Sequence, residues 1–133
     1  FEMLGAPWCG PEFAARLRDL DLPGVAFREA VLHPTHGAFA SERGHGVAVH
    51  ITAQLHAAAR DLGTFDPMRV GHAIIASAAS LYPDQALWRE PAPGRPHFID
   101  LLWGSAALRE GINDGADYDV ILSASPEPLE LDA

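Results

Sequence analysis

The alternation of apolar and polar positions is sharpest just past the first third of the chain, where Val47, Val49 and Ile51 alternate with Ala48, His50 and Thr52. A two-residue period is that of a strand with one buried face, so His50 points away from the Val/Ile side. Residues 24–32 read the same way: Val25 and Phe27 share a face, Arg28 takes the other, and Pro34, lacking an N–H, ends the pairing. A third short apolar run, residues 1–5, closes before Pro7.

The period then lengthens. Phe13, Leu17 and Leu20 fall at i, i+4 and i+7 behind Pro11, which predicts a helix over 11–20 stopped by Pro23-Gly24. The alanine-rich segment 53–62 predicts a second helix with Gly63 as its C-cap. Asp66-Pro67 opens the longest one, over 67–82. Its apolar stripe is Val70, Ile74, Ile75, Ala78 and Leu81; His72 lies off the stripe, and Pro83 ends it. Pro83, Pro91, Pro93 and Pro96 make 84–96 a loop. Residues 97–103 are apolar apart from Asp100. Ser105 is a good N-cap for a helix over 106–113, and Asp117 starts a last one through Leu122.

Strands cluster early and helices late, which predicts an α+β fold rather than an alternating parallel sheet: a two- or three-stranded sheet covered by four or five helices. One domain is expected over 1–124, with a poorly ordered tail over 125–133.

Composition narrows the chemistry. Apolar residues make up 48% and charged residues 20%, as in folded domains, and the formal net charge is −9. That acidity argues against nucleic acid or an anionic membrane surface as partner, since both reward Lys and Arg. No run approaches the roughly 20 apolar residues of a membrane span. A single cysteine, Cys9, excludes an internal disulfide and any CxxC zinc site. The chain opens on Phe1 without an initiator methionine, and we expect it to be a piece of a longer protein with any export signal upstream.

The candidate chemistry gathers between His33 and Thr52, which hold four of the seven histidines (His33, His36, His45 and His50). His33-x-x-His36 and His45-x4-His50 are loose spacings for a metal site, with no HExxH or paired cysteines behind them, so solvated or hydrogen-bonded histidines and no metal are expected. Gly44 and Gly46 bracket His45, so the backbone there can take positive φ or lie close to another chain or a ligand. Arg28 is either a solvated side chain or an oxyanion or carboxylate clamp, for which the planar guanidinium fork is suited. Trp8 is a core anchor or an aromatic wall for a sugar ring, and Cys9 a small buried residue. No GxSxG and no compelling acid pair is present, so a complete hydrolytic site within these residues is not expected.

Five stretches occur in one order: FEMLGAPW, GVAFREAVLHPT, ERGHGVAVHIT, FDPMRVGHAIIASAASLYPD and FIDLLWGSAALREGINDGADYDVIL. Together, from Phe1 to about Ser123, they resemble the C-terminal domain of the exo-β-N-acetylmuramidases (glycoside hydrolase family 171), bacterial peptidoglycan-processing enzymes. The resemblance implies a larger N-terminal Rossmann-like domain carrying the catalytic carboxylates, a substrate pocket between the two domains, and release of N-acetylmuramic acid from the non-reducing end of a glycan. It implies no cofactor. Pro34, Thr35, Gly46, Val47 and His50 match the family's PT and GGV-x-hydrophobic-His positions. With Arg28 and His45 added from the residue reading, the expected substrate-binding set is Arg28, Pro34, Thr35, His45, Gly46 and His50.

The chain departs from the family pattern in two places. Gly44-His45-Gly46-Val47-Ala48 stands where relatives usually read Cys-Gly-Gly-Val-Gln, and Ala53 where an Asp is usual. Two readings stay open: a domain that completes the pocket of an exo-glycosidase, silent on its own, and a non-catalytic or inactive module that binds glycan or protein.

Overall fold

The computed structural model describes residues 2–52 and 65–125, in two compact units, Phe1–Gln85 and Ala86–Ala133. The predicted helix over 53–62 and the tail beyond Ser125 lie outside the described residues.

The first unit is built on three strands: β1 (Met3–Ala6), β2 (Val25–Leu32) and β3 (Gly44–Ile51). All pair antiparallel in the order β1-β3-β2, so the last strand in sequence is the central one. The register sets Phe27 opposite Val49, Arg28 opposite Ala48 and Ala26 opposite His50, and on the other side Met3 opposite Ala48 and Gly5 opposite Gly46.

Helix α1 (Glu12–Asp19) packs against β2 and β3 and against α2 (Pro67–Leu81). It buries Phe13, Ala14 and Leu17, while Leu20, assigned to the stripe by spacing, forms the C-cap and stays exposed. Helix α2 begins as its sequence predicts: the Asp66 carboxylate accepts from the backbone N–H of Met68 and of Arg69, and Pro67 takes the first turn. Its buried face is turned from the expected one. Val70, Ala73, Ser77 and Ala78 are buried together with His72, whereas Ile74, Ile75 and Leu81 are only partly covered. The small residues face the packed side, which spacing of large apolar residues does not reveal.

Leu17 and Val47 are completely buried, and with Phe27 and Phe13 they form the core between sheet and helices. Each such side chain contributes about 1.5–3 kcal/mol relative to exposure.

The second unit holds three short helices: α3 (Phe98–Trp103), α4 (Ala107–Asn113) and α5 (Tyr118–Ala124). Residues 97–103, unassigned by periodicity, fold as α3, closed by Gly104 in the left-handed conformation at φ 90°. α4 starts one residue later than its sequence suggests; the Ser105 hydroxyl accepts from Ala107 N–H at 3.3 Å. α4 and α5 meet where Ile121 presses on Gly111, whose missing side chain leaves the room. Trp88 donates its indole N–H to Asn113 Oδ1 at 2.8 Å.

Candidate functional site

Because β3 is central, its backbone is hydrogen-bonded on both sides, and alternation divides the expected site residues between two faces. Arg28 and His50 share the face opposite the one that Phe27 and Val47 bury, and both are exposed. They are diagonal neighbours across the β2–β3 ladder, a relation that sets backbone positions roughly 7–8 Å apart, within reach of long side chains. The positions directly beside them are small (Ala26 and Ala48), so nothing bulky stands between the two polar groups, while Met3 and Leu32 flank them on the same face.

His45 lies on the other face. Its Nδ1 is 3.1 Å from Glu29 Oε1, a diagonal cross-strand pair with both side chains partly exposed. Close by, Tyr82 at the end of α2 donates its hydroxyl hydrogen to Glu12 Oε1 at 2.6 Å and accepts from Gly10 N–H at 2.8 Å. The Trp8 ring meets Tyr82 edge-on at a centroid distance of 5.3 Å. The hydrogen bond from Tyr82 holds the Glu12 carboxyl below the usual carboxylate range, with a smaller contribution from His45. Burial, then the same bond to Glu12, pushes the Tyr82 phenol up to about 12. Burial likewise raises the Cys9 thiol, which keeps it an unreactive core residue. Sequence reasoning missed this cluster. Glu12 and Tyr82 are 70 residues apart, and no local pattern links them.

Pro34 and Thr35 sit in the loop between β2 and β3. The Pro34 carbonyl accepts from Ser41 N–H at 2.9 Å, and Thr35 Oγ1 is hydrogen-bonded to His36 Nδ1 at 2.8 Å. This loop curls beside a shallow depression lined by Leu32, Pro34, Phe39, Glu42 and Gly5.

Gly44 and Gly46 have a role the sequence left open. Neither takes positive φ, and both are buried. A Cβ on Gly46 would fall on the Leu4 carbonyl oxygen and 2.8 Å from Gly5 Cα; one on Gly44 would strike the Ala6 carbonyl. The close approach is therefore to strand β1, and this occupies the side from which backbone N–H groups were expected to meet a ligand.

A sheet of this order, with its helices packed as described, defines a small α+β domain in which Arg28 and His50 are exposed on the strand face opposite Phe27 and Val47. The chain belongs to the family described as "Exo-beta-N-acetylmuramidase NamZ, C-terminal", which matches residues 1–130. It is similar to the peptidoglycan beta-N-acetylmuramidase NamZ of Bacillus subtilis (strain 168), 28% identical over 98% of this chain and 28% of that protein. Its fold is similar to the crystal structure of a DUF1343 family protein from Bacteroides fragilis, with a TM-score of 0.73 and 28% identity over 93% of this chain and 30% of that one. The chain thus spans less than a third of the length of either relative.

Proposed function

We propose that this domain completes the substrate pocket of an exo-acting glycoside hydrolase that releases N-acetylmuramic acid from the non-reducing end of peptidoglycan fragments. The catalytic carboxylates would belong to an N-terminal domain of the same polypeptide. The observation that supports a role here is the placement of Arg28 and His50 on one exposed strand face. N-acetylmuramic acid differs from N-acetylglucosamine by a lactyl ether that ends in a carboxylate. An arginine fork pairs with such a group bidentately, and a neighbouring imidazole supplies a further hydrogen bond. On a chain of net charge −9, an exposed cation with small residues beside it is where an anionic sugar can be received. Pro34 and Thr35 lie in the loop beyond Leu32, at the opposite end of the β2–β3 ladder from His50, and are outside this contact. Gly46 acts through β1, and His45 through Glu29, rather than by touching sugar.

The test uses the full-length polypeptide and two chromogenic substrates, a β-N-acetylmuramic acid glycoside and the matching β-N-acetylglucosamine glycoside. Release from the muramyl substrate alone is expected. Arg28→Gln should then raise KM for it at least tenfold, about 1.4 kcal/mol of lost interaction, and His50→Ala should lower turnover at least tenfold at unchanged melting temperature. Wild-type kinetics in both variants would remove this face from the site.

One observation favours the second reading, a module that binds glycan without hydrolysis. Ala48, where the family resemblance leads one to expect Gln, lies directly opposite Arg28 on the same face, so no polar side chain stands at that position beside the proposed clamp. Retained glycan binding by a folded full-length protein that cleaves neither glycoside would establish it.

A further inference from the structure

Helix α3 is amphipathic in the reverse of the usual sense. Phe98, Leu101 and Leu102 fall at i, i+3 and i+4 on its outer face and are 66%, 63% and 68% exposed, the most exposed large apolar side chains among the described residues. Its polar residue points inward. Asp100 receives Arg109 in a two-pronged pair, Nε to Oδ1 at 2.9 Å and Nη2 to Oδ2 at 2.7 Å, with both side chains more than four-fifths covered. Trp103 donates its indole N–H to Ser125 Oγ at 2.7 Å. The helix is thus fixed from within by an ion pair on α4 and a hydrogen bond beyond α5, and it cannot roll its apolar face inward without breaking both.

We propose that this face is the seat of the polypeptide that precedes the domain in the full-length protein. Two considerations select that occupant. A six-residue helix is about 9 Å long, so a symmetric dimer closed on this patch alone falls short of the roughly 1,200–2,000 Å² that specific association of separate chains needs. A covalently attached domain is held at high effective concentration, so a small apolar patch is enough to seat it. The length is there: this domain matches the C-terminal family and covers only 28% and 30% of its two relatives, leaving more than two thirds of each outside the match. The inference rests on the two-domain parent of the proposed function but not on its activity or on Arg28 and His50.

Hydroxyl-radical footprinting of the full-length protein, without substrate, tests it, with Val120 and Leu122 of α5 as internal references at 58% and 51% exposure. Leu101 and Leu102 should oxidise at least tenfold more slowly than Leu122 although they are the more exposed side chains on the domain by itself, and photo-leucine cross-links from them should map to residues preceding Phe1. Oxidation faster at Leu101 and Leu102 than at Leu122, in the order of their exposures, would overturn the proposal. So would cross-links to residues 1–85, or protection that appears only as concentration rises and cross-links two differently labelled copies. A parent whose intact mass leaves no room for a preceding domain would overturn this inference and the proposed function together, whereas a seated domain in a protein without glycosidase activity would overturn only the latter.

Discussion

Two glycine-to-alanine substitutions should move stability in opposite directions, although on propensity alone both would be gains. Gly71 lies in the middle of α2 with nothing within 4 Å of the position a Cβ would take. Gly71→Ala removes the helix penalty of glycine and should stabilise by about 0.5–1 kcal/mol. Gly46 lies in the middle of β3, where the added methyl meets backbone rather than a side-chain tip: the Leu4 carbonyl oxygen, Leu4 C at 2.9 Å and Gly5 Cα at 2.8 Å. Ordinary contact begins near 3.4 Å, so β1 must move out by more than half an ångström across a ladder of four pairs. Overpacking of this kind costs about 1–3 kcal/mol, and each stretched β1–β3 hydrogen bond adds about 1 kcal/mol. After the entropic gain of losing a glycine, about 0.4–1 kcal/mol, a net loss of about 3 kcal/mol remains. For a domain of this size that lowers Tm by about 10 °C, while Gly71→Ala raises it by about 2–4 °C. Thermal melts followed by far-ultraviolet circular dichroism report both. Hydrogen exchange should show the loss at the amides of residues 3–6 first. A Gly46→Ala protein melting at or above the parent temperature would refute the close approach of β1 and restore the reading in which that glycine is free for a ligand.

Other outcomes follow from single contacts. Leu17→Ala, at a completely buried position, should cost about 3–4 kcal/mol in urea unfolding with an unchanged m-value. The Asp100 carboxyl is held below the usual range by its hydrogen bonds to Arg109. Its contribution is therefore complete above the ordinary aspartate pKa of about 4 and is lost as pH falls through the depressed folded value. The stability gap between wild type and Asp100→Asn should accordingly be constant from neutral pH to about 5 and close below about 4. Tyr82, raised to about 12, gives the opposite sign: its contribution is present below about 10 and is lost as pH climbs towards 12, so Tyr82→Phe should lose the alkaline limb seen in wild type. The same variant should let the Glu12 carboxyl rise towards its ordinary value in an NMR titration.

What the sequence made legible was whatever is local. Alternation located β2 to within a residue and β3 to within three, and put His50 and Arg28 on the face away from Phe27 and Val47, because pleat direction depends only on neighbours. Asp66-Pro67 fixed the start of α2 for the same reason. The sheet order was not legible, since nothing in a strand states its partner, and the meaning of Gly44 and Gly46 depends on that order. Helix α3 escaped because its apolar residues face outward and Asp100 inward, the reverse of what periodicity assumes. The family resemblance supplied the identity that composition and spacing alone did not. It could not show that His45 is tied to Glu29 on the far side of the sheet from His50.

The order β1-β3-β2 also has a consequence in time. Met3 pairs with Ala48, so β1 waits for about 45 further residues to be synthesised before its partner exists. At roughly 5–20 residues per second that is a delay of about 2–9 s. Meanwhile β2 and β3, joined by the loop over residues 33–43, are close enough in sequence to close as a hairpin almost as soon as both have emerged. β1 is thus added last to a ready-made edge, and in that interval Met3 and Leu4 are apolar residues on an unpaired strand. A nascent-chain chaperone has its natural window there, in the seconds before the third strand gives the first one somewhere to go.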